Sequence, residues 1–176
     1  ISDRPVRSDA AEYLARTGIC VENLFINRFF RHNSRGYLKL GGGWLETQYA
    51  GLTAEYLLLF RQGRFALGHE LTWAKKRDPD SLLGLKDEPP ALTRFLNLYM
   101  YAPELDATLS VKLGTFLGGD SGARLELSRD IRGGRVFLWY TKTDTSGFEG
   151  DNKGYSDKGI GIVIPVRVFE NSDVPG

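Results

Sequence analysis

The feature that most constrains the fold of this chain is the stretch from Leu105 to Val166, in which apolar and polar residues alternate with a period of two, most strictly within Leu105–Leu113. Within Leu105–Leu113 every second residue is apolar, and Asp, Thr, Ser and Lys stand between them. Successive side chains of a β-strand point to opposite faces, so a period of two indicates strands with one apolar and one polar face. Turn residues such as Arg132-Gly133-Gly134 interrupt the alternation. The stretch therefore predicts antiparallel strands joined by turns.

The composition agrees with an all-β chain and argues against nucleic acid as a partner. A length of 176 residues fits one domain, and 21 glycines with 12% aromatic residues suit a protein with many strands and turns. The net charge is +1, from 23 basic and 22 acidic residues, so no overall field would recruit nucleic acid. Cys20 is the only cysteine, which leaves no internal disulfide.

The predicted organisation has three parts: an N-terminal α-β element at 1–35, a β segment at 36–170 and a tail at 171–176. Within the first part, residues 8–18 are predicted to form one short helix, with Ser8 as its cap. Such an element would lie outside a membrane, although a helix packed on any β domain would look the same. The chain opens on Ile1 without Met or a signal-peptide pattern, so we expect a piece of a longer precursor.

The connections between the predicted strands are unequal in length. Residues 62–63, 102–104 and 132–134 form short turns, 117–121 is intermediate, and 75–91 and 144–157 are long. Outer-membrane β-barrels show this asymmetry, with tight periplasmic turns and longer outer loops. Aromatic residues gather near strand ends, as they do in the girdles at membrane interfaces. These aromatic residues are Phe60, Phe65, Trp73, Tyr99, Tyr101, Phe116, Trp139 and Tyr140.

The predicted fold class is an all-β, antiparallel up-and-down meander that forms part of an outer-membrane-type β-barrel. A soluble β-sandwich or a lipocalin-like barrel remains open at this point, because it would alternate in the same way with its apolar face inward. The charged residues of the polar face suit a water-filled lumen and a solvated surface equally well. About nine strands can be counted, whereas single-chain bacterial barrels usually have an even number, so we expect an incomplete barrel.

Three separated segments resemble the YjbH-type exopolysaccharide biosynthesis proteins. The first runs from Gly51 through Arg64-Phe-Ala-Leu-Gly-His-Glu-Leu-Thr-Trp to Asp78. The second is Gly114–Arg129, which contains Gly118-Gly-Asp-Ser-Gly-Ala-Arg, and the third is Tyr155–Pro165. The likeness extends over about residues 36–170 and keeps the order and spacing of the three segments.

This resemblance implies an outer-membrane β-barrel of a Gram-negative bacterium that acts in the biosynthesis and export of an exopolysaccharide. Its partners would be the secreted polysaccharide, other envelope export proteins and outer-membrane lipid. Family members are longer than this chain, so the chain would correspond to a C-terminal barrel portion. The motif residues expected in loops are Gly119, Asp120, Gly122, Asp157, Lys158 and Gly159.

Candidate site residues lie on the predicted polar strand faces, where a barrel would have its lumen. They could contact polysaccharide hydroxyls and acidic sugars, or they could be paired charges that fill the interior. These residues are Arg64, Glu70, Arg124, Glu126, Ser128 and Asp130. Asp120 could bind sugar hydroxyls, although an Asp between glycines also simply makes a turn.

No catalytic, metal or cofactor site is expected. Glu70 and Glu126 could be compared with the acid/base pair of a glycosidase, but the sequence sets no distance between carboxylates on different strands. His32, His69 and Cys20 are too scattered for metal-ligand spacing. No Gly-rich loop precedes a helix, so a phosphate cradle is not indicated. A non-catalytic role is therefore predicted.

Overall fold

The structure is a computed structural model, and it describes residues 13, 21, 23–81, 83–131, 133–144 and 156–164. These residues form nine β-strands and one short 3-10 turn at Arg61–Gly63. The strands are β1 (Leu24–Arg31), β2 (Gly36–Trp44), β3 (Tyr49–Phe60), β4 (Phe65–Lys76), β5 (Ala91–Ala102), β6 (Ala107–Thr115), β7 (Ser121–Ile131), β8 (Gly134–Thr143) and β9 (Ser156–Val163).

The strands form a single sheet in which every strand pairs antiparallel with the next strand in the chain. The predicted all-β, up-and-down meander is thereby confirmed. Among the described residues the sheet is not closed, since β1 and β9 each pair with one neighbour. The predicted helix at 8–18 lies, apart from Tyr13, outside the described residues. In the part of the chain that the structure describes, no helix is long and apolar enough to cross a membrane.

Two differences from the predicted elements concern their ends. The sequence places residues 1–35 in a separate N-terminal element, yet β1 pairs along its whole length with β2 in the common sheet. The sequence also places Arg64 on a strand face, whereas β4 begins at Phe65 and Arg64 belongs to the turn before it. In both places strand pairing decides the boundary.

The connections divide the sheet into two ends. At one end, the short-turn end, residues 32–35, 61–64, 103–106 and 132–133 join consecutive strands. At the other, the long-loop end, the connections are 45–48, 77–90, 116–120 and 144–155. This alternation of short and long connections follows the sequence prediction. The β2–β3 turn at 45–48 is the one short connection at the long-loop end among these four.

The strand register gathers the apolar residues onto one face of the sheet. Across β4, β5, β6 and β7, for example, Leu67 lies beside Leu98, then Val111, then Leu125. We call this side the apolar face; it continues through Leu52 and Trp73 on one flank and Leu138 and Ile160 on the other. The opposite side, the polar face, carries most of the Thr, Ser, Lys, Arg and Glu residues of the same strands, together with aromatic residues such as Phe95 and Tyr99.

The apolar face is the more exposed of the two. On β5 the polar-face residues Thr93, Phe95 and Asn97 are 6%, 6% and 7% exposed. Their apolar-face neighbours Leu96 and Leu98 are 42% and 43% exposed. A sheet folded in water shows the reverse arrangement, with its apolar side turned to a core. The polar face must therefore be sheltered by the coiling of the strands around it.

Few apolar side chains of the described residues are buried. Tyr13, Ala74 and Phe95 are the buried apolar residues in that part of the chain. Burial of apolar surface, which contributes about 25 cal/mol per Å², is normally the main favourable term in folding. With so little of it inside the sheet, the backbone ladders and the surroundings of the apolar face must stabilise the fold.

Gly51 marks a place where two strands approach too closely for a side chain. A Cβ at this position of β3 would overlap the carbonyl oxygen of Trp73 on β4. A Cβ at Gly68 of β4 would instead make ordinary contacts, at 3.4 Å from the Cβ of Asn97. The two glycines therefore form a matched pair with different steric demands.

We expect Gly51→Ala to lower the free energy of unfolding by roughly 1–3 kcal/mol, because the new methyl group must displace the β4 backbone. The matched variant Gly68→Ala should change it by less than about 0.5 kcal/mol. Denaturant unfolding of the two variants of the full-length protein measures the difference. Equal effects of the two substitutions would contradict the close β3–β4 approach.

Candidate functional site on the polar face

Ion pairs connect side chains of several strands along the polar face. Lys39 on β2 pairs with Glu55 on β3. The ammonium of Lys112 on β6 lies 2.8 Å from the carboxylate of Glu70 on β4. Asn97, on the intervening β5, donates a hydrogen bond of 3.4 Å to the same carboxylate. Glu70 thus joins three strands through a single side chain.

A second pair lies one strand further along. Arg124 and Glu126, both on β7, form an ion pair at 3.2 Å. The register places Arg124 directly opposite Lys112. Two cations in that position repel each other, and the carboxylates of Glu70 and Glu126 offset this repulsion. The centre of the polar face is therefore a balanced ladder of alternating charge.

Both cations of the ladder also contact aromatic rings. The ammonium of Lys112 lies 4.2 Å from the centroid of Phe95, and the guanidinium of Arg124 lies 5.5 Å from that of Trp139. Each contact is within the distance at which a ring quadrupole attracts a cation. The rings and carboxylates together hold the long side chains against the sheet.

Phe137 and Trp139 lie side by side on the polar face of β8. Their ring centroids are 5.6 Å apart and their planes are inclined by 31°. The indole nitrogen of Trp139 donates a hydrogen bond of 3.0 Å to Asp157 on β9. The rings lie over Gly159 and Gly161 of β9, where a Cβ would overlap them. The sequence groups Trp139 with interfacial aromatics, but the structure places it on the side opposite to the apolar face.

The remaining predicted polar-face residues lie towards the short-turn end. Ser128 is buried, with its hydroxyl 3.5 Å from the carbonyl oxygen of Thr108. Asp130 pairs with Arg135 at 3.1 Å in an exposed position. Arg64 is also exposed and pairs with Glu104 at 3.4 Å across two turns. The structure therefore brings Glu70, Arg124 and Glu126 into one ladder but leaves Arg64 and Asp130 at the rim.

The predicted loop motif is divided between a turn and two strands. The turn at 116–120 is closed by a 2.8 Å hydrogen bond from the Phe116 amide to the Asp120 carbonyl oxygen, and Gly119 has a φ of 83°. Gly122 lies in β7, where a Cβ would overlap the carbonyl oxygen of Lys142. Asp157, Lys158 and Gly159 are part of β9 and not of a loop.

Lys158 and Asp157 differ in the face that they occupy. Lys158 pairs in register with Tyr140 and therefore lies on the apolar face, near the long-loop end. Asp157 lies on the polar face, where it accepts the hydrogen bond from Trp139. The glycines of the motif thus allow the turn and the close strand approach, and Asp157 fixes the Trp139 ring through a hydrogen bond.

Arg77 is a structural residue that the sequence analysis missed. It lies just beyond β4 and is 1% exposed. One guanidinium nitrogen donates to the carbonyl oxygens of Val21, Glu46 and Thr47, at 3.1–3.4 Å. The guanidinium also stacks on Trp44 at 4.8 Å, and the Arg77 carbonyl oxygen accepts a hydrogen bond from Tyr13. Arg77 therefore fastens the segment before β1 to the long-loop end of the sheet.

The polar face retains hydrogen-bonding capacity. Asn97 Oδ1 and Thr141 Oγ1 are buried and find no hydrogen-bond partner among the described residues. Buried acceptors are usually paired with protein or water, so a polar ligand or water reaching this face would find unused acceptors.

In the same described part of the chain, no three His, Cys, Asp or Glu side chains are grouped so that they could hold a metal ion.

Comparisons with known proteins give one consistent result. A family model described as "Exopolysaccharide biosynthesis protein YbjH" matches residues 2–174. The Escherichia coli (strain K12) protein called "Uncharacterized lipoprotein YjbH" is 28% identical over 171 residues, which cover 94% of this chain. The chain spans only 24% of that relative's length. No solved structure matches the chain.

A double-mutant cycle on Glu70 and Lys112 should show that the ladder is energetically coupled. With Glu70→Gln and Lys112→Met, we expect a coupling free energy of about 1–2 kcal/mol, because the pair is sheltered and shares a hydrogen bond with Asn97. The exposed pair of Arg64 and Glu104 is the control, with an expected coupling below about 0.5 kcal/mol. Unfolding free energies of the full-length variants provide the measurement, and equal couplings would contradict the ladder.

Proposed function

This chain belongs to the YjbH family of exopolysaccharide biosynthesis proteins, and from this premise we propose that it forms part of a non-catalytic outer-membrane β-barrel. In this proposal the apolar face meets the lipid of a Gram-negative outer membrane. The polar face lines the interior, where the secreted polysaccharide passes or is held. The match also confirms the family resemblance carried by the three sequence segments.

The observation that carries the proposal is the exposed apolar face opposite a sheltered polar face. A predominantly apolar surface of this extent is unfavourable in water and favours association or aggregation. In a bilayer the same surface needs no cover, while the polar side chains need an interior. Strands β3, β4 and β5 each have 12 residues, and a transmembrane β-strand requires about 9–11 residues.

The two edges of the sheet supply a further argument. In hydrocarbon every backbone N–H and C=O group must have a partner, so open sheet edges are not tolerated there. Strands β1 and β9 each have one neighbour among the described residues. We therefore expect both edges to pair in the full-length protein, with each other or with additional strands. An added strand would also give the even number that bacterial barrels usually have.

The polar face supports a conduit role without catalysis. Glu70 and Glu126 each pair with a cation of the ladder, as structural ion pairs do. A glycosidase would instead present two carboxyl groups to one glycosidic bond. Paired charges offer a passing polymer many weak contacts, and a pore needs binding that is weak enough for release.

The proposed location is the outer membrane, with other envelope export proteins as partners. The word "lipoprotein" in the name of the E. coli relative agrees with an envelope location.

The competing hypothesis is a soluble carbohydrate-binding β-domain. It requires another part of the protein to cover the apolar face, because the described sheet does not cover it itself.

Leu98→Arg separates the two hypotheses. Leu98 lies in the middle of β5 on the apolar face and is 43% exposed. In a membrane barrel the substitution should cost about 2–4 kcal/mol and reduce assembly, because the charge would enter hydrocarbon. If another part of the protein covers Leu98, the substitution should also lower stability, but neither the wild type nor the variant should then appear in the outer-membrane fraction as a heat-modifiable band. Heat-modifiability of the full-length protein in the outer-membrane fraction measures assembly.

Leu105→Arg is the matched control for this test. Leu105 is 62% exposed but lies in the turn between β5 and β6, outside the strands. We expect this variant to assemble like the wild type. Normal assembly of both variants would contradict a lipid-facing apolar face, and failure of both would point to a general intolerance of arginine.

A further inference from the structure

Phe137 and Trp139 form an apolar surface of two inclined rings in the part of the polar face that β7, β8 and β9 supply. All other polar-face positions near them carry charged, hydroxyl or glycine residues, such as Arg124, Glu126 and Thr141. An aromatic pair in such a place is not explained by a membrane interface, since it lies on the opposite side from the apolar face. It also leaves both rings half-buried and not enclosed.

The glycines of β9 determine how the rings are oriented. Gly159 and Gly161 lie beside Trp139 and Phe137 in register, and a Cβ on either glycine would overlap the ring. One side of each ring therefore rests against the β9 backbone. The other side of each ring turns away from the β9 backbone, and on the β7 side the Arg124 guanidinium lies 5.5 Å from the Trp139 centroid.

We propose that Phe137 and Trp139 are a stacking platform that binds one pyranose unit of the polysaccharide. This inference rests on the proposed function and identifies where the polymer is held. One side of a pyranose ring presents C–H groups, whose slightly positive hydrogens meet the negative face of an aromatic ring. Two rings 5.6 Å apart and inclined by 31° provide such a surface over roughly the size of one sugar.

Polar groups border the platform where sugar hydroxyls would lie. Asp157 accepts the indole N–H at 3.0 Å and keeps a second carboxylate oxygen for a hydroxyl. On the other side, Arg124 presents donors within 5.5 Å of the Trp139 ring. An apolar platform with a few placed polar groups is the usual composition of a small-molecule site. Arg124 is paired with Glu126 and Asp157 is an anion, so these groups suit the hydroxyls of a sugar.

A structural role of the rings is the alternative that the experiment must exclude. Aromatic side chains can stabilise strand glycines simply by covering them. Trp139→Phe and Trp139→Leu both lose the hydrogen bond to Asp157, and both keep apolar bulk over Gly159. They differ in whether a π-face remains. Their comparison therefore isolates stacking from packing.

The experiment measures binding of the full-length protein to short oligosaccharides prepared from the polysaccharide that the producing bacterium secretes. Isothermal titration calorimetry gives the Kd for the wild type and each variant. We expect Trp139→Leu to weaken binding about tenfold and Trp139→Phe to weaken it less than about threefold, since stacking contributes on the order of 1 kcal/mol. The control Trp73→Leu removes a Trp from the apolar face and should leave Kd unchanged.

Each result decides a separate point. Equal Kd values for the wild type and Trp139→Leu would overturn the platform while leaving polysaccharide contact elsewhere on the polar face. Equal losses in Trp139→Leu and Trp139→Phe would show that binding depends on the indole N–H and its bond to Asp157 and not on a π-face, which also overturns it. Absence of binding by the wild type would overturn both the platform and the polysaccharide contact. The membrane placement is decided independently by Leu98→Arg.

Discussion

The fold depends on the continuous antiparallel hydrogen-bond ladder that joins β1 through β9. The described sheet has few buried apolar side chains, of which Ala74 and Phe95 lie in the strands themselves. A sheet in water would gain most of its stability from a second layer packed on its apolar face. Here that face stays exposed, so the ladder and the medium around it must supply the stability. Glycines such as Gly51 and Gly122, where strands approach closely, keep the ladder intact.

The pairing of charges on the polar face follows from the coiling of the same ladder. Side chains that coil inward are removed from water, and isolated charges there would be costly. Each central charge has a partner: Lys112 has Glu70, and Arg124 has Glu126. The pairing allows Lys112 and Arg124 to lie opposite each other in register. A surface built in this way carries many polar groups yet little net charge, which suits contact with a hydrated polymer.

The strands and their alternating short and long connections could be predicted from the sequence because both are local properties. Leu105–Leu113 alternates without interruption, so its faces are predictable as well. Residues 136–140 of β8 are all apolar, so periodicity cannot assign Trp139 to a face, and only the register with β7 and β9 does so. The burial of Arg77 depends on carbonyl groups of Val21, Glu46 and Thr47, which are distant in the chain. The sequence alone predicts only a long connection over residues 75–91 there.

The central claim is that the apolar face meets lipid and the polar face meets water, and a nitroxide scan of β6 tests it most directly. Single labels at Thr108, Leu109, Ser110 and Val111 would be placed in the full-length protein in lipid bilayers. Electron paramagnetic resonance then measures collisions with oxygen, which concentrates in lipid, and with a water-soluble nickel chelate. The account predicts high oxygen contact at Leu109 and Val111 and nickel contact at Thr108 and Ser110. Shielding of Leu109 and Val111 from both reagents would contradict it, because it would mean that protein covers the apolar face.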